Sequence, residues 1–210
     1  MEKLVIVGGG GHAKVLISIL KKNADYEILG YTDLMDNGSI LGIKYLGDDS
    51  VLTNIIAKNS GCSAALGIGN ISVVNYRKKL ARKLEELKFN LPAIVSKTAI
   101  LNEEVKIGEG TVIFDGAVVN SGTEIGKYSI INSNSTIEHD CTIGEFVHIA
   151  PGVTLSGGVK IGNNSMIGTG ASVIQSIVIT DNCMIGAGAA VVNDCTVPGT
   201  YLGVPARIRR

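Results

Sequence analysis

Residues 129–152, taken six at a time, read SIINSN STIEHD CTIGEF VHIAPG. The third residue of each of these four blocks is isoleucine, and the first is serine, cysteine or valine. The same frame extends over residues 93–200, where eighteen consecutive blocks keep an aliphatic third residue, from Val95 and Leu101 to Val191 and Val197. An unbroken series of this length is not expected by chance, so the second half of the chain is predicted to be a repeat structure.

A second period of eighteen residues is superimposed on the period of six. Gly108, Gly126, Gly144 and Gly162 each follow a core isoleucine, at intervals of three blocks. If each block is one short strand followed by a bend, three blocks make one triangular coil, and glycine or asparagine supplies the positive φ that a bend requires. The pattern therefore predicts an all-β parallel β-helix of six coils, stabilised by stacking of each coil on the next.

The first ninety residues carry a different pattern. The apolar run Leu4–Val7 ends in four glycines and His12, and a helical pattern follows. A strand, a glycine loop and a helix N-terminus together form a binding site for phosphate. A second apolar run, 27–31, leads to Asp33, a carboxylate placed to bind a ribose hydroxyl.

A third strand is predicted over residues 64–68, and a helix follows over residues 73–87 with its basic residues on the outer face. These elements predict an α/β Rossmann-like domain of three strands over residues 1–92, ahead of the β-helix domain at 93–210. Three strands are too few for a nicotinamide dinucleotide, so a nucleotide-sugar diphosphate fits better. The predicted nucleotide-sugar-binding residues are Gly10, Gly11, His12, Asp33, Gly69 and Asn70.

Composition narrows the classes of partner. The net charge is zero and no basic cluster is dense enough to follow a phosphate backbone, so nucleic acid is not an expected partner. No segment has the apolar length of a membrane span or the pattern of a secretory signal, so we expect no membrane insertion and a cytoplasmic location. The four cysteines lack metal-ligand spacing, so we expect no metal and reduced, packed thiols.

Four short motifs point to one family. They are VGGGGHAK at residues 7–14, IGN at 68–70, IEHD at 137–140 and GVPA at 203–206. Together they resemble the hexapeptide-repeat sugar acyltransferases of the sialic acid O-acetyltransferase type, which include the N-acetyltransferases of nucleotide-linked 4-amino sugars in bacterial glycan synthesis. The resemblance spans the whole chain and implies a left-handed β-helix, an exception to the usual crossover handedness. It also implies acetyl-CoA as co-substrate.

The same resemblance implies the catalytic residues. The histidine of the IEHD motif is the family's general base, which makes His139 the predicted base here. His139 is the fifth residue of its block and is therefore expected at a bend, pointing outward. Asp140 is expected to orient the imidazole, and Glu138 is the alternative.

The resemblance also implies the residues that bind the acyl donor. Gly157 is expected to offer its backbone N–H to the thioester carbonyl. His148 is expected to contact the acyl donor, and Thr169, Gly186 and Ala187, further along the same face, are expected to line its pantetheine arm. Family members form homotrimers with CoA grooves between neighbouring helices, so we expect a homotrimer.

Two functions stay open from the sequence, besides a non-catalytic nucleotide-sugar-binding scaffold. The first is N-acetylation of a nucleotide-linked amino sugar, by direct transfer without a covalent enzyme intermediate. The second is O-acetylation of sialic acid or another glycan hydroxyl by the same base.

Overall fold

The computed structural model describes residues 1–69 and 76–209, so the prediction for Asn70 lies outside the described residues. The chain divides into two compact units, Met1–Lys97 and Thr98–Arg210. By Cα packing, the division falls a few residues beyond the boundary expected at residue 92. No helix in the described ranges is both long enough and apolar enough to cross a membrane.

The first unit contains a four-stranded parallel sheet in the order β3-β2-β1-β4. Its strands are β1 (Glu2–Val7), β2 (Tyr26–Thr32), β3 (Tyr45–Gly47) and β4 (Ser63–Leu66), and β5 (Ile94–Val95) follows later in the chain, outside this sheet. Its helices are α1 (Gly11–Asn23), α2 (Leu52–Lys58), which follows a 3-10 turn at Asp49–Val51, and α3 (Tyr76–Glu86).

The prediction of three strands was wrong by one. Strand β3 was missed because it has only three half-buried residues at the sheet edge, too few for a hydrophobic period. The central strand β1 was easier to predict, because Leu4, Val5 and Ile6 are all fully buried, and a strand buried on both faces has a continuous apolar sequence.

Arg77 departs from the expectation that the basic residues of α3 lie on its outer face. Its side chain is only 2% exposed, and its guanidinium donates to the carbonyl oxygens of Ile68 at 2.5 Å and Leu66 at 3.2 Å. Burial lowers the pKa of Arg77 to about 9. Arg77 therefore holds the backbone that follows β4. Residues 73–75, where this helix was predicted to begin, lie outside the described residues.

The second unit is a triangular prism of two- to four-residue strands, and it confirms the left-handed parallel β-helix. The first face consists of β6 (Ile100–Leu101), β9 (Val118–Val119), β12 (Thr136–Ile137), β15 (Thr154–Leu155), β18 (Ser172–Val173) and β21 (Ala190–Val191). The second face consists of β7 (Lys106–Ile107), β10 (Glu124–Ile125), β13 (Thr142–Ile143), β16 (Lys160–Ile161) and β19 (Val178–Ile179). The third face consists of β8 (Val112–Ile113), β11 (Ile130–Ile131), β14 (His148–Ile149), β17 (Met166–Ile167), β20 (Cys183–Ile185) and β22 (Gly199–Leu202), with β23 (Arg207–Ile208) antiparallel to β22.

From β6 to β21 successive coils pair in parallel with a register of eighteen residues, and in the last coil the register is sixteen, as where Met184 pairs with Thr200. Ile149 lies opposite both Ile131 and Ile167, and all three side chains are fully buried. The predicted inward position is wrong at the two ends of the prism. Leu101 is 37% exposed because no coil of this unit precedes it. Val197 is 55% exposed because the register slips by two residues in the last coil, where Cys195 pairs with Ile179 and is buried in its place.

Glycine is required at these corner positions for a different reason from the predicted positive φ. Positive φ occurs at the sixth residue of the blocks, for example at Gly110 and Phe146. Gly108 and Gly126 sit two residues earlier, where a Cβ would meet backbone atoms of the next coil at 2.5 and 2.6 Å. Close approach of the coils therefore requires these glycines.

Ile167→Ala tests the stacked core. Removing this buried side chain between Ile149 and Ile185 is expected to lower the free energy of unfolding by about 2–5 kcal/mol. Urea denaturation followed by circular dichroism measures the change. The control is Ser172→Ala on the exposed side of β18, expected within about 0.5 kcal/mol of the parent. Equal losses in both variants would contradict the stacking account.

Candidate active site

His139 lies at the corner between the first and second faces, on the bend that joins β12 to β13. Its side chain is 66% exposed, and its Nδ1 lies 2.8 Å from Oδ2 of Asp140. A carboxylate only accepts hydrogen bonds, so Nδ1 carries the proton and donates a hydrogen bond to Asp140. Nε2 then holds a free lone pair directed away from the carboxylate, which is the arrangement that a general base requires.

Asp140, and not Glu138, contacts the imidazole. The backbone of Asp140 is left-handed, with φ of 59°, a conformation that aspartate adopts more readily than most residues. Gly122, one coil earlier, leaves the space for this carboxylate, because a Cβ there would lie 2.8 Å from Oδ1 of Asp140. The shorter side chain of aspartate is therefore sufficient to reach the ring.

Gly157 lies one coil after His139 on the same corner. A Cβ at Gly157 would come within 2.6 Å of Nε2 of His139, so only glycine leaves room for the ring in this orientation. Nε2 of His139 therefore packs directly against Gly157. Within residues 1–69 and 76–209, no acceptor is hydrogen-bonded to the N–H of Gly157.

Glu138 belongs to a ladder of polar side chains on the same corner. Asn102 Nδ2 donates to Asn120 Oδ1 at 2.5 Å, and Asn120 Nδ2 donates to Glu138 Oε2 at 2.8 Å. Neither asparagine belongs to a sequence motif, so neither was predicted to be part of the site. Their spacing of eighteen residues was the signal, since the coil register places residues 102, 120 and 138 in one column.

The other predicted donor-binding residues do not share this corner. Thr169, Gly186 and Ala187 lie on bends between the third and first faces, and His148 lies on β14 of the third face. Thr169, Gly186 and Ala187 border the first face, as Gly157 does, but at its opposite edge, because none of them is a multiple of eighteen residues from position 157. His148 is 6% exposed, and its Nε2 lies 3.2 Å from Asn132 Nδ2.

In the first unit, the glycine loop leads into α1 as predicted. Gly10 is the N-cap residue of the helix and Gly11 its first residue, and a Cβ at either would meet open space. His12 lies in the first turn, and Gly69 lies on the segment that follows β4. The open N-terminus of α1 matches the chemistry of an anion site.

Asp33 follows the last residue of β2, beside this loop. Its Oδ2 accepts the N–H of Gly9 at 2.6 Å, and its Oδ1 accepts the N–H of Leu34 at 2.7 Å. The carboxylate thus fixes the glycine loop, a role that sequence reasoning missed. It also borders a cavity lined by Val7, Gly8, Asp33, Leu34, Asp49, Ile68, Tyr76 and Leu80. Asp49 and Tyr76 were missed because no motif includes them.

The cysteine side chains are all buried and unpaired. Burial raises the pKa of each thiol, and that of Cys195 reaches about 11. Such thiols are poor nucleophiles at neutral pH. In the described part of the chain, no three His, Cys, Asp or Glu side chains group as metal ligands.

Comparison with known proteins gives matches over nearly the whole chain. Residues 3–84 match the family of the PglD N-terminal domain, and residues 104–139, 140–175 and 158–193 match the bacterial transferase hexapeptide of six repeats. No curated protein matches.

Three solved structures illustrate the likeness. The acetyltransferase domain of PglB from Neisseria gonorrhoeae is 32% identical, with a TM-score of 0.92 and 100% of both chains covered. PerB from Caulobacter crescentus, in complex with CoA and GDP-perosamine, is 33% identical, with a TM-score of 0.91 over 100% of this chain and 98% of that one. WeeI from Acinetobacter baumannii is 27% identical, with a TM-score of 0.88 and full coverage of both chains.

The prism and its corner histidine define a hexapeptide-repeat transferase. With its PglD-type N-terminal domain and its full-length likeness to the PglB domain and PerB, the chain belongs to the hexapeptide-repeat sugar acyltransferases and is an acyltransferase. The resemblance drawn from the four sequence motifs is thereby confirmed.

Gly157→Ala tests the packing of the base. The added methyl would displace the imidazole of His139, so we expect acyl transfer to fall about 100-fold, as a misplacement near 1 Å can cause. Initial rates with acetyl-CoA measure the loss. The control is Gly152→Ala, which strains a positive-φ backbone but meets open space. If both variants lose activity equally, Gly157 has no special relation to the base.

The buried thiols give a second prediction. Because their pKa values are raised, little thiolate forms at neutral pH, and a disulfide reagent is expected to label the folded protein far more slowly than the unfolded protein. Absorbance after addition of the reagent, with and without denaturant, measures both rates. Immediate labelling of the folded protein would contradict the burial of the four cysteines.

Proposed function

We propose that the protein is an acetyl-CoA-dependent N-acetyltransferase that acts on the amino group of a nucleotide-linked amino sugar. The observation that carries the proposal is the His139–Asp140 pair, with Nδ1 protonated and Nε2 packed against Gly157, whose N–H has no acceptor among the described residues. PerB, a full-length structural relative, binds CoA and GDP-perosamine, and a PglB domain has been solved with acetyl coenzyme A.

The acceptor class is supported by the first unit. Its glycine loop, open helix N-terminus and adjoining cavity provide an anion site and an enclosed surface for a nucleoside. An amino sugar supplies the neutral amine more readily than a lysine, because its pKa is lower.

The reaction follows from the chemistry of the catalytic corner. The amine nitrogen attacks the thioester carbonyl carbon, and His139 Nε2 takes the proton that the nitrogen loses as the C–N bond forms. The negative charge that develops on the carbonyl oxygen is stabilised by the N–H of Gly157, which is worth about 3 kcal/mol of barrier. The C–S bond then breaks, and the imidazolium returns its proton to the CoA thiolate. Asp140 stabilises the imidazolium between these two steps.

The homotrimer and the cytoplasmic location belong to the same proposal. Gly157 lies on one corner of the prism, whereas Thr169, Gly186 and Ala187 lie on another. Two copies placed corner to corner would combine both sets in one donor groove, which supports a trimer with three such grooves. Acetyl-CoA and nucleotide sugars are cytoplasmic metabolites, which supports the location.

Turnover on a substrate panel tests the proposal. The protein is mixed with acetyl-CoA and with UDP-, GDP-, CMP- or dTDP-linked amino sugars, or free sialic acid, and release of thiol is followed. We expect turnover on one nucleotide-linked amino sugar and a loss of about 10²- to 10⁴-fold in His139→Ala. Glu109→Ala, at the same block position on another corner, is the control and is expected to keep parent activity.

Other outcomes would change the proposed function or the role of His139. Turnover on free sialic acid alone would favour O-acetylation. No turnover together with no CoA binding would favour the scaffold, and an active His139→Ala would remove His139 as the base.

A further inference from the structure

The bend of Asn120–Thr123 lies directly above the catalytic bend of Glu138–Cys141, one coil earlier on the same corner. Its backbone contacts include the carbonyl of Ser121, which accepts the N–H of Asp140 at 3.0 Å. Comparable backbone contacts recur along the prism, so they do not distinguish this corner. The side chains of Asn120 and Thr123 are the ones whose hydrogen bonds reach the bend that carries His139.

Thr123 bridges both ends of the catalytic bend from inside the prism. Its side chain is fully buried, and its Oγ1 donates to the carbonyl oxygen of Glu138 at 2.9 Å. The same Oγ1 accepts the N–H of Cys141 at 3.2 Å. The two bonds enclose His139 and Asp140, so this single hydroxyl fixes the backbone on either side of the base.

Asn120 fixes the outer side of the same bend. Its amide donates to Oε2 of Glu138, and its own oxygen accepts from Asn102. Glu138 terminates the ladder because a carboxylate has no proton to pass on, so both amides keep one orientation. Glu138 is thereby held in the ladder and leaves His139 to Asp140 alone.

We infer that Asn120 and Thr123 are positioning residues that hold the His139–Asp140 pair in its reactive geometry. The kinetic part of this inference rests on the proposed function, because it needs acyl transfer to be measured. The structural part, the geometry of the His139–Asp140 pair, does not. Neither residue is part of the IEHD motif, and neither contacts the imidazole. Each acts on the bend that carries the imidazole.

The chain offers a matched control for Thr123. Thr111 is also fully buried at the first position of its block, and its Oγ1 donates to Gly126 O at 2.7 Å and accepts the N–H of Ser129 at 3.0 Å. The hydroxyl of Thr111 therefore makes the same two kinds of bond, but at the corner between the second and third faces. Thr123→Val and Thr111→Val remove equivalent hydroxyls and are expected to shift the urea midpoint equally.

The kinetic test compares the two valine variants. We expect Thr123→Val to lower kcat about 10- to 100-fold with little change in KM, because only the alignment of the reacting groups is lost. Thr111→Val is expected to keep kcat, and Thr123→Ser, which restores the hydroxyl, is expected to recover most of it. Asn120→Ala is expected to lower kcat in the same way, and Asn102→Ala less. Equal kcat losses in the two valine variants, or an unchanged kcat in Thr123→Val, would overturn the inference.

A second readout does not depend on the acceptor. The chain has only three histidines, so nitrogen NMR of the imidazoles can be assigned by difference with His139→Ala. We expect the Nδ1-protonated tautomer of His139 in the parent and in Thr111→Val, and a mixture of tautomers in Thr123→Val. An unaltered tautomer in Thr123→Val would overturn the inference. If no substrate of the panel is turned over while the NMR result holds, the proposed function fails and the positioning role stands.

Discussion

Pairing between coils at an interval of eighteen residues is the constraint on which the β-helix depends. It stacks Ile131, Ile149 and Ile167 inside the prism and requires glycine where coils touch at Gly108 and Gly126. It also decides what surrounds the base. His139 has Gly157 eighteen residues after it, and Asp140 has Gly122 eighteen residues before it. The His139–Asp140 pair is therefore surrounded by positions that the repeat fixes, and a change in register would lose both spaces at once.

Much of this architecture is readable from the sequence because each coil interacts with its neighbours only. A six-residue period specifies the strands, and an eighteen-residue period specifies which residues meet, so the fold and the outward direction of His139 follow without a structure. The ends of the prism break the rule, since Leu101 has no coil before it, and a two-residue slip of register in the last coil leaves Val197 exposed. The N-terminal unit is less predictable. Its short strand β3 and the buried Arg77 depend on tertiary neighbours that no local period records.

The candidate site was predictable in part for the same reason. The IEHD motif indicated the base, and the structure selects Asp140 as its partner by a distance of 2.8 Å that the sequence could not supply. Asn120 lies eighteen residues before Glu138, and Thr123 lies eighteen before Cys141, so their roles follow once the coil register is known. The same register explains why Thr169, Gly186 and Ala187 lie on another corner. A family resemblance assigns a binding role to each matching residue. It does not say which copy of the chain supplies that residue to a given binding site.

The measurement that tests the central claim most directly is a crystal structure with both CoA and a nucleotide-linked amino sugar bound. The distance that matters joins Nε2 of His139 to the amine nitrogen of the acceptor. The account predicts that this distance is within about 3.2 Å, or is bridged by one water, with the Asp140 contact at Nδ1 retained. An amine bound out of reach of His139, with another basic group at hydrogen-bond distance, would contradict the account.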